Sequence, residues 1–252
     1  MSDDAGEPAP AAADGGGWLG ALRRAAAFGR REVAVLSIVL LVALALFGFL
    51  SVADEVMEGD SKAFDEALLL ALRVPGDSHD PLGPGWLEEA ARDVTALGGT
   101  TVVTLITLAV IGFLAVDGKP RTAGLVVVSV GGGMLLTTLL KLGFARPRPD
   151  LVPHAVEVYT ASFPSGHATA AAVAYLTLGG LLSWSQKRRR VKIYVLTVAV
   201  MLTALVGVSR VYLGVHWPTD VIAGWCVGAG WALGWSAIAM VVARRRAVEP
   251  PG

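Results

Sequence analysis

The 252-residue chain is rich in apolar residues: 54% are hydrophobic and only 17% are charged. Soluble domains are usually about 45–50% apolar and about 25% charged, so this composition favours a membrane protein. Acidic and basic residues are equal in number, and the formal net charge of +0 gives no reason to expect a nucleic-acid partner. The single cysteine, Cys226, excludes a disulfide framework and a cysteine-based metal site, and its apolar neighbours predict a buried, inert thiol.

The N-terminal region differs in composition from the rest of the chain. Residues 2–17 are mostly Ala, Gly, Pro and acidic residues, which cannot form a core, and we expect residues 1–32 to be a disordered cytoplasmic segment. The apolar run at 33–52 follows four arginines, as in a signal peptide. It is longer than the apolar region of about 7–15 residues that signal peptides contain. We therefore interpret it as a retained membrane helix.

Six apolar stretches approach the length of about 20 residues that a membrane-spanning helix needs. The predicted spans cover residues 33–52, 99–116, 122–140, 166–184, 192–209 and 219–243. The expected fold is therefore an all-α, polytopic membrane bundle of six transmembrane helices. It occupies residues 33–246 and is followed by a short tail at 247–252.

Two glycine pairs are typical of membrane helices that pack closely. They are Gly224-x-x-x-Gly228 and Gly230-x-x-x-Gly234, both in the last predicted span. The three consecutive glycines at 131–133 have no interpretation from their spacing.

Basic residues are distributed unevenly between the two sides of such a bundle. With the N-terminus in the cytoplasm, 14 of the 21 fall on the cytoplasmic side: four at 23–31, two at 119–121, five at 187–192 and three at 244–246. Because cytoplasmic loops carry the excess of Lys and Arg, we expect a multi-pass plasma-membrane protein with both termini in the cytoplasm. The first outer loop, about residues 53–98, is acidic and is predicted to contain interfacial helices at 60–73 and 86–97.

The segment Pro164-Ser165-Gly166-His167 lies at the outer end of the fourth span. Ser165 is a good N-cap, and the free backbone N–H groups of Ser165, Gly166 and His167 are expected to face the outer interface. A helix N-terminus with a glycine attracts anions and lets a phosphate approach closely. Alone, the segment is also compatible with an ordinary capped helix and a chance histidine.

The segment Ser209-Arg210-x5-His216-x3-Asp220 lies between the last two spans. His216 and Asp220 are four residues apart, so the carboxylate can reach one imidazole nitrogen. It then fixes the tautomer and leaves the other nitrogen free to attack. Alone, the pair is equally compatible with a His–Asp cap at an interface.

The segment Lys141-x6-Arg148-Pro149 ends the third span with two cations. Arg is well suited to bidentate phosphate recognition, and Lys binds phosphate as a point charge. Basic residues at a helix end also commonly extend toward lipid headgroups, and that is the simpler interpretation of this segment alone.

The three segments together predict a phosphoryl-transfer site on the outer face of the membrane, where catalysis depends on positioning and charge stabilisation. They resemble, in sequence and order, the signature of the type-2 phosphatidic acid phosphatase and vanadium haloperoxidase superfamily. Every fixed position is present, and the resemblance covers about residues 90–243.

The resemblance implies a catalytic role for three residues and a phosphate-binding role for five. His216 is the expected nucleophile, Asp220 orients its ring, and His167 is the acid that protonates the leaving oxygen. The expected phosphate-binding residues are Lys141, Arg148, Ser165, Gly166 and Arg210. The resemblance implies hydrolysis through a phosphohistidine, with no metal and no cofactor.

Four other residues receive less specific interpretations. His79 and His154 are expected to be solvated in outer loops. Arg146, outside the fixed pattern, is expected to contact headgroups or substrate. Trp217 is interpreted as a membrane-interface anchor.

The expected function is therefore the hydrolysis of a membrane lipid phosphate or diphosphate, with the substrate tail held in the bilayer. Candidate substrates are a polyprenyl diphosphate, phosphatidic acid and phosphatidylglycerol phosphate, and an outer site slightly favours the first. Two alternatives are a vanadate-dependent haloperoxidase, whose relatives are soluble and longer, and a non-catalytic protein that binds anionic lipids. The oligomeric state does not follow from the sequence.

Overall fold

The computed structural model describes residues 18–156 and 160–248, which form eight helices and a short β-hairpin. The helices are α1 (Trp18–Glu58), α2 (Lys62–Leu70), α3 (Gly85–Ala96), α4 (Thr100–Val116), α5 (Pro120–Phe144), α6 (Gly166–Ser185), α7 (Arg189–Tyr212) and α8 (Pro218–Val248). The hairpin pairs β1 (Arg73–Val74) with β2 (Asp77–Pro81) in antiparallel fashion. The all-α architecture predicted from the sequence is confirmed.

Five helical segments among the described residues are long and apolar enough to cross a membrane, and they correspond to five of the predicted spans. The remaining predicted span, 99–116, corresponds to α4, which has only 17 residues. Together α3 and α4 pass the same test as one span bent by 48°, which brings the total to as many as six.

The prediction of disorder up to residue 32 is wrong for the part of that segment that the structure describes. α1 begins at Trp18, whereas residues 1–17 lie outside the described residues. Ala, Leu and Arg dominate residues 18–32, and they are among the best helix formers.

Contacts divide the chain into two units, Met1–Ser37 and Ile38–Gly252, and every element after α1 belongs to the second.

The segment at 53–98, which is expected to be the first outer loop, contains the two predicted helices, α2 and α3, but the earlier one ends at Leu70 instead of residue 73. A hairpin follows, because Pro75-Gly76 forms the turn between Val74 and Asp77. Gly76 has φ +89, a conformation that favours glycine. A Pro-Gly pair is a strong turn signal, and here it overrides the helical pattern.

The N-terminal half of α6 is largely buried, and the helix packs most extensively against α7 and α8. A Cβ at Gly228 would lie 2.4 Å from the Cβ of Ala172, and one at Gly224 would lie 2.9 Å from the carbonyl oxygen of Ser165. The predicted close packing at this glycine pair is therefore confirmed. It is wrong for Gly234, which has no atom within 4 Å of an added Cβ.

The glycines at 131–133 also have a packing role. A Cβ at Gly132 would lie 2.7 Å from the Trp231 indole, and one at Gly133 would lie 2.8 Å from Val173. Cys226 is partly buried, whereas a buried thiol was predicted. It lies in an apolar groove between α1, α5 and α8.

An aromatic cluster fixes the two chain segments that enter the functional site. Phe144 ends α5 and Phe163 precedes α6, and their ring centroids are 4.8 Å apart. Phe49 of α1 lies 6.0 Å from Phe163 and 6.1 Å from Phe144. The end of α5 and the start of α6 are therefore held at the same end of the bundle.

Candidate active site

Six of the eight predicted site residues line one cavity of about 560 Å³; Ser165 and Asp220 lie behind its wall. Its polar lining includes Lys141, Arg148, Arg210 and both predicted catalytic histidines. The cavity lies where α5 and α7 end and where α6 and α8 begin. Among the described residues that line it there is no Asp or Glu, so its charge is positive.

His216 lies in the short loop between α7 and α8 and is only 1% exposed. Its Nδ1 is 3.2 Å from Asp220 Oδ2, and its Nε2 is 3.1 Å from Arg148 Nη1. Because a guanidinium can only donate, Nε2 is the acceptor and the ring proton lies on Nδ1, toward Asp220. This tautomer leaves an electron pair on the nitrogen beside the cavity cations.

Asp220 is held at the first turn of α8 by donors on both carboxylate oxygens. Oδ2 accepts from the backbone N–H of Trp217 at 3.0 Å and from the Ser162 hydroxyl. Oδ1 accepts from Arg146 at 2.7 Å. The Trp217 contact is one half of a capping box, in which the third helical residue reaches back to the N-cap backbone. Asp220 is fully buried and has little freedom to move.

Burial lowers the pKa of His216 to about 3, although the hydrogen bond and the charge of Asp220 oppose the shift. The nearby Arg148 and Arg210 lower the pKa of His216 further. Burial also lowers the pKa of Arg148, and Asp220 opposes that shift. His216 is therefore neutral near pH 7, which is the protonation state that a nucleophile needs.

The three cavity cations are held by different kinds of contact. Arg148 donates to the carbonyl oxygens of Thr160 at 2.8 Å and Val215 at 2.6 Å. Lys141 donates to the carbonyl of Ala161. Arg210 donates to Thr95 of α3 at 3.1 Å, but its buried Nε has no hydrogen-bond partner within the described residues. A buried and unpaired donor is costly, and Arg210 is among the residues that line the cavity.

Ser165 and Gly166 contribute to the site in different ways. The Ser165 side chain caps α6 by accepting from Ala168 N–H at 3.5 Å, and it does not line the cavity. Its backbone N–H donates to the carbonyl of Asp220 at 2.9 Å. The prediction of a free Ser165 N–H is therefore wrong, because α8 takes that donor. Gly166 does line the cavity, and an added Cβ would lie 3.4 Å from Lys141 Cε.

His167 faces the cavity from the first turn of α6, beside the break between α3 and α4. A Cβ at Gly99 would lie 3.7 Å from His167 Nε2, and one at Gly98 would lie 2.8 Å from its carbonyl oxygen. The cations near His167 are Arg210, Arg148 and Lys141, and no carboxylate acts on its ring among the described residues.

Arg146 has a different role from the one expected. It donates to Asp220 Oδ1 and to Asp65 Oδ2, each at 2.7 Å, and does not line the cavity. The expectation that it contacts headgroups or substrate is therefore wrong, because two buried carboxylates bind its guanidinium. Asp65 of α2 is fully buried and was missed, since nothing in its spacing distinguishes it from the other acidic residues of the first outer loop.

Trp217 is also buried, with 9% of its surface exposed, whereas a membrane-interface anchor would expose its ring. It packs with Leu69 and Val221, and its indole donates to Pro147 at 3.2 Å. His79 and His154 are exposed, as predicted.

Comparisons with known proteins identify the family of the chain. The PAP2 superfamily model matches residues 122–245. Phosphatidylglycerophosphatase B from Bacillus subtilis is 34% identical over 196 residues, which cover 74% of this chain and 88% of that protein. A decaprenylphosphoryl-5-phosphoribose phosphatase from Mycobacterium tuberculosis is 34% identical over 58% of this chain and 76% of the relative.

A solved structure shows the same fold. It is the crystal structure of a transmembrane PAP2-type phosphatidylglycerolphosphate phosphatase from Bacillus subtilis, with 27% sequence identity. The match has a TM-score of 0.73 and covers 80% of this chain and 96% of the other. The chain belongs to the PAP2 superfamily, as its three segments suggested. It is a multi-pass membrane enzyme that hydrolyses lipid phosphates.

Proposed function

We propose that the chain hydrolyses its lipid substrate through a phosphohistidine formed on His216. The observation that carries this proposal is the orientation of the ring. Nδ1 faces Asp220 at 3.2 Å, while Nε2 lies 3.1 Å from a cation that lines the cavity. A base-and-orienter pair of this kind is needed for nucleophilic attack, whereas anion binding alone needs only the cations.

In the first step His216 Nε2 attacks phosphorus, and the bond from phosphorus to the leaving oxygen breaks. His167 gives its proton to that oxygen, and the leaving group departs as an alcohol or as a lipid monophosphate. In the second step water attacks the phosphohistidine while His167 takes a proton from the water. Inorganic phosphate is released and His216 returns to its neutral form.

The cavity cations supply charge stabilisation during both steps. Lys141, Arg148 and Arg210 are placed to neutralise the equatorial oxygens, and the N–H groups of Gly166 and His167 have no intrahelical partner because they open α6. Ser165 supports them by capping α6. We propose that these groups make a metal unnecessary. Among the described residues, no cluster of three or more His, Cys, Asp or Glu is arranged to hold one.

The substrate is proposed to keep its tail in the bilayer while its phosphate enters the cavity. The cavity wall includes Met134 and Thr137, which precede Lys141 by about two turns and one turn of the same membrane helix, α5. Each CH₂ held in lipid contributes about 0.8 kcal/mol, so a tail anchors the substrate without contacting the chemistry. The Bacillus subtilis relative makes phosphatidylglycerol phosphate the first substrate to test, with a polyprenyl diphosphate and phosphatidic acid next.

The excess of basic residues in the cytoplasmic loops supports a plasma-membrane orientation with both termini inside and the cavity outside. Impermeant thiol labelling in intact cells, in a Cys226→Ser background, tests this orientation. We expect labelling of a cysteine at position 154 and none at position 188. The reverse pattern would contradict it.

Phosphate release by the purified protein in detergent tests the chemistry. We expect release from the three lipids, unchanged by EDTA, and low activity toward a soluble sugar phosphate at the same concentration. Acid-labile and base-stable label from a ³²P-substrate should appear on the wild type and be absent from His216→Ala. Turnover by His216→Ala, or activity that EDTA removes and Mg²⁺ restores, would refute the mechanism.

A further inference from the structure

A buried ionic cluster lies behind the catalytic pair, on the side of His216 away from the cavity. Arg146 lies at its centre, with side chain 14% exposed, and forms ion pairs with Asp65 and Asp220 at 2.7 Å each. The same guanidinium donates to Thr219 Oγ1 at 2.8 Å and to Ser61 Oγ at 3.4 Å. Neither Arg146 nor Asp65 lines the cavity.

Asp65 connects α2 to the first turn of α8. Its Oδ1 accepts the backbone N–H of Thr219 at 2.9 Å, and its Oδ2 accepts the Thr219 hydroxyl at 2.6 Å. A carboxylate at a helix N-terminus is stabilised by the free N–H groups and the helix dipole. Asp65 therefore holds two groups that contact or adjoin Asp220. One is the backbone of Thr219, and the other is the guanidinium of Arg146.

We propose that Asp65 and Arg146 are positioning residues of the active site, which act through Asp220 to aim His216 Nε2 at the substrate. This inference rests on the proposed function of His216. Asp220 Oδ1 is fixed by Arg146 while Oδ2 faces the imidazole, so a shift of the guanidinium rotates the carboxylate that orients the ring. α2 of the first outer loop is thus part of the catalytic apparatus without touching the substrate.

The charge pattern of the cluster supports a positioning role. Two carboxylates share one guanidinium, and each also accepts a backbone N–H, from Trp217 for Asp220 and from Thr219 for Asp65. Arg presents donors in a planar fork, which can bridge two acceptors at fixed angles, whereas a Lys ammonium cannot. Arg146→Lys keeps the charge and removes this geometry, which makes it an informative variant.

The test compares Asp65→Asn, Asp65→Glu and Arg146→Lys with wild type in detergent. For Asp65→Asn and Arg146→Lys we expect kcat to fall about 10–100-fold, the size of effect seen when a metal-ligating residue loses its outer-shell partner. The conservative Asp65→Glu should retain more kcat than Asp65→Asn. KM and the inhibition constant for inorganic phosphate should stay within roughly twofold, because the cavity cations are unchanged.

Glu66→Gln is the matched control. Glu66 neighbours Asp65 on α2 and forms a partly exposed pair with Lys62 at 3.7 Å, so its loss should leave kcat unchanged. The positioning role is overturned if Asp65→Asn keeps wild-type kcat. It is also overturned if phosphate inhibition weakens in parallel with kcat, or if none of the three variants folds, since either result assigns the cluster to stability alone. A wild type that forms no phosphohistidine would instead refute the proposed function.

Discussion

The two sides of the His216 ring differ in how completely their charges are paired. On the cavity side, Lys141, Arg148 and Arg210 donate mainly to carbonyl and hydroxyl oxygens, and Arg210 Nε has no partner within the described residues. On the opposite side, Arg146 contacts two carboxylates and two hydroxyl groups. Cations without counter-charges are available to an anion, and fully paired ones are not.

This difference divides binding from positioning. A buried cation that is incompletely paired carries a desolvation cost, and a bound phosphate can offset that cost. The cations on the cavity side therefore favour binding of the substrate phosphate. A charge network with all its partners present is rigid, because breaking one contact leaves a buried charge unsatisfied. Variants on the two sides should therefore separate phosphate affinity from the rate of the chemical step.

The largest effect that would test this division is expected for Asp220→Asn. The amide keeps the size of the side chain, but it does not favour the tautomer with the proton on Nδ1. We expect kcat to fall about 10⁴-fold, as for the equivalent change in a Ser-His-Asp triad. Inhibition by inorganic phosphate should change far less. An Asp220→Asn enzyme within tenfold of wild-type kcat would show that the ring needs no carboxylate to orient it.

His167→Ala tests the cavity side, where no carboxylate supports the histidine. Loss of a general acid should lower kcat for a lipid substrate about 10²–10⁴-fold. An aryl phosphate such as p-nitrophenyl phosphate has a leaving group that needs little protonation, so the burst of nitrophenol release that accompanies phosphohistidine formation should be slowed much less than the same first step with a lipid substrate. Equal losses on the two substrates would contradict the assignment of His167 as the acid.

Arg210→Gln should weaken phosphate binding where the Asp65 and Arg146 variants do not. Removing a charge-assisted contact of about 1.5–3 kcal/mol should raise the inhibition constant of inorganic phosphate about 10–100-fold. Thr95→Val is a milder companion, since it removes only the hydroxyl that Arg210 contacts at 3.1 Å. Unchanged phosphate inhibition in Arg210→Gln would mean that the unpaired Nε does not face the bound anion.

The cavity side was predictable from the sequence because its chemistry lies at fixed local spacings. His216 and Asp220 are four residues apart, and Ser165 to His167 open a helix after a proline, so short-range geometry brings them together. The spans could be predicted because the length of an apolar run sets the helix. The predicted spans are shorter than the helices, because basic residues such as Arg189 remain helical beyond the apolar run.

The buried cluster could not be predicted in the same way. Asp65 is 155 positions from Asp220, and only the folding of α2 onto α8 brings both to Arg146. Arg146 lies two residues before Arg148 in the same Arg-Pro repeat, and the two point to opposite sides of the catalytic pair. α5 ends at Phe144, and Ala145 follows with φ 45, so the direction of each arginine depends on a backbone that spacing does not reveal.

The smallest expected effect concerns the break between α3 and α4, which supports His167 with backbone instead of charge. An added Cβ at Gly99 would contact His167 Nε2 at 3.7 Å, an ordinary van der Waals distance, but would lie only 3.1 Å from the Ala96 carbonyl oxygen. The close contact with Ala96 should cost on the order of 1 kcal/mol of stability. A displacement of His167 that costs on the order of 1 kcal/mol in the transition state should lower kcat about fivefold. Gly98→Ala is the contrasting variant, because its Cβ would lie 2.5 Å from Val206 and 2.8 Å from the His167 carbonyl oxygen, which should destabilise the fold. Thermal unfolding and kcat measured for both variants separate the two effects. If Gly99→Ala slows the hydrolysis of p-nitrophenyl phosphate as much as that of a lipid substrate, the break between α3 and α4 affects the whole site and not only the acid.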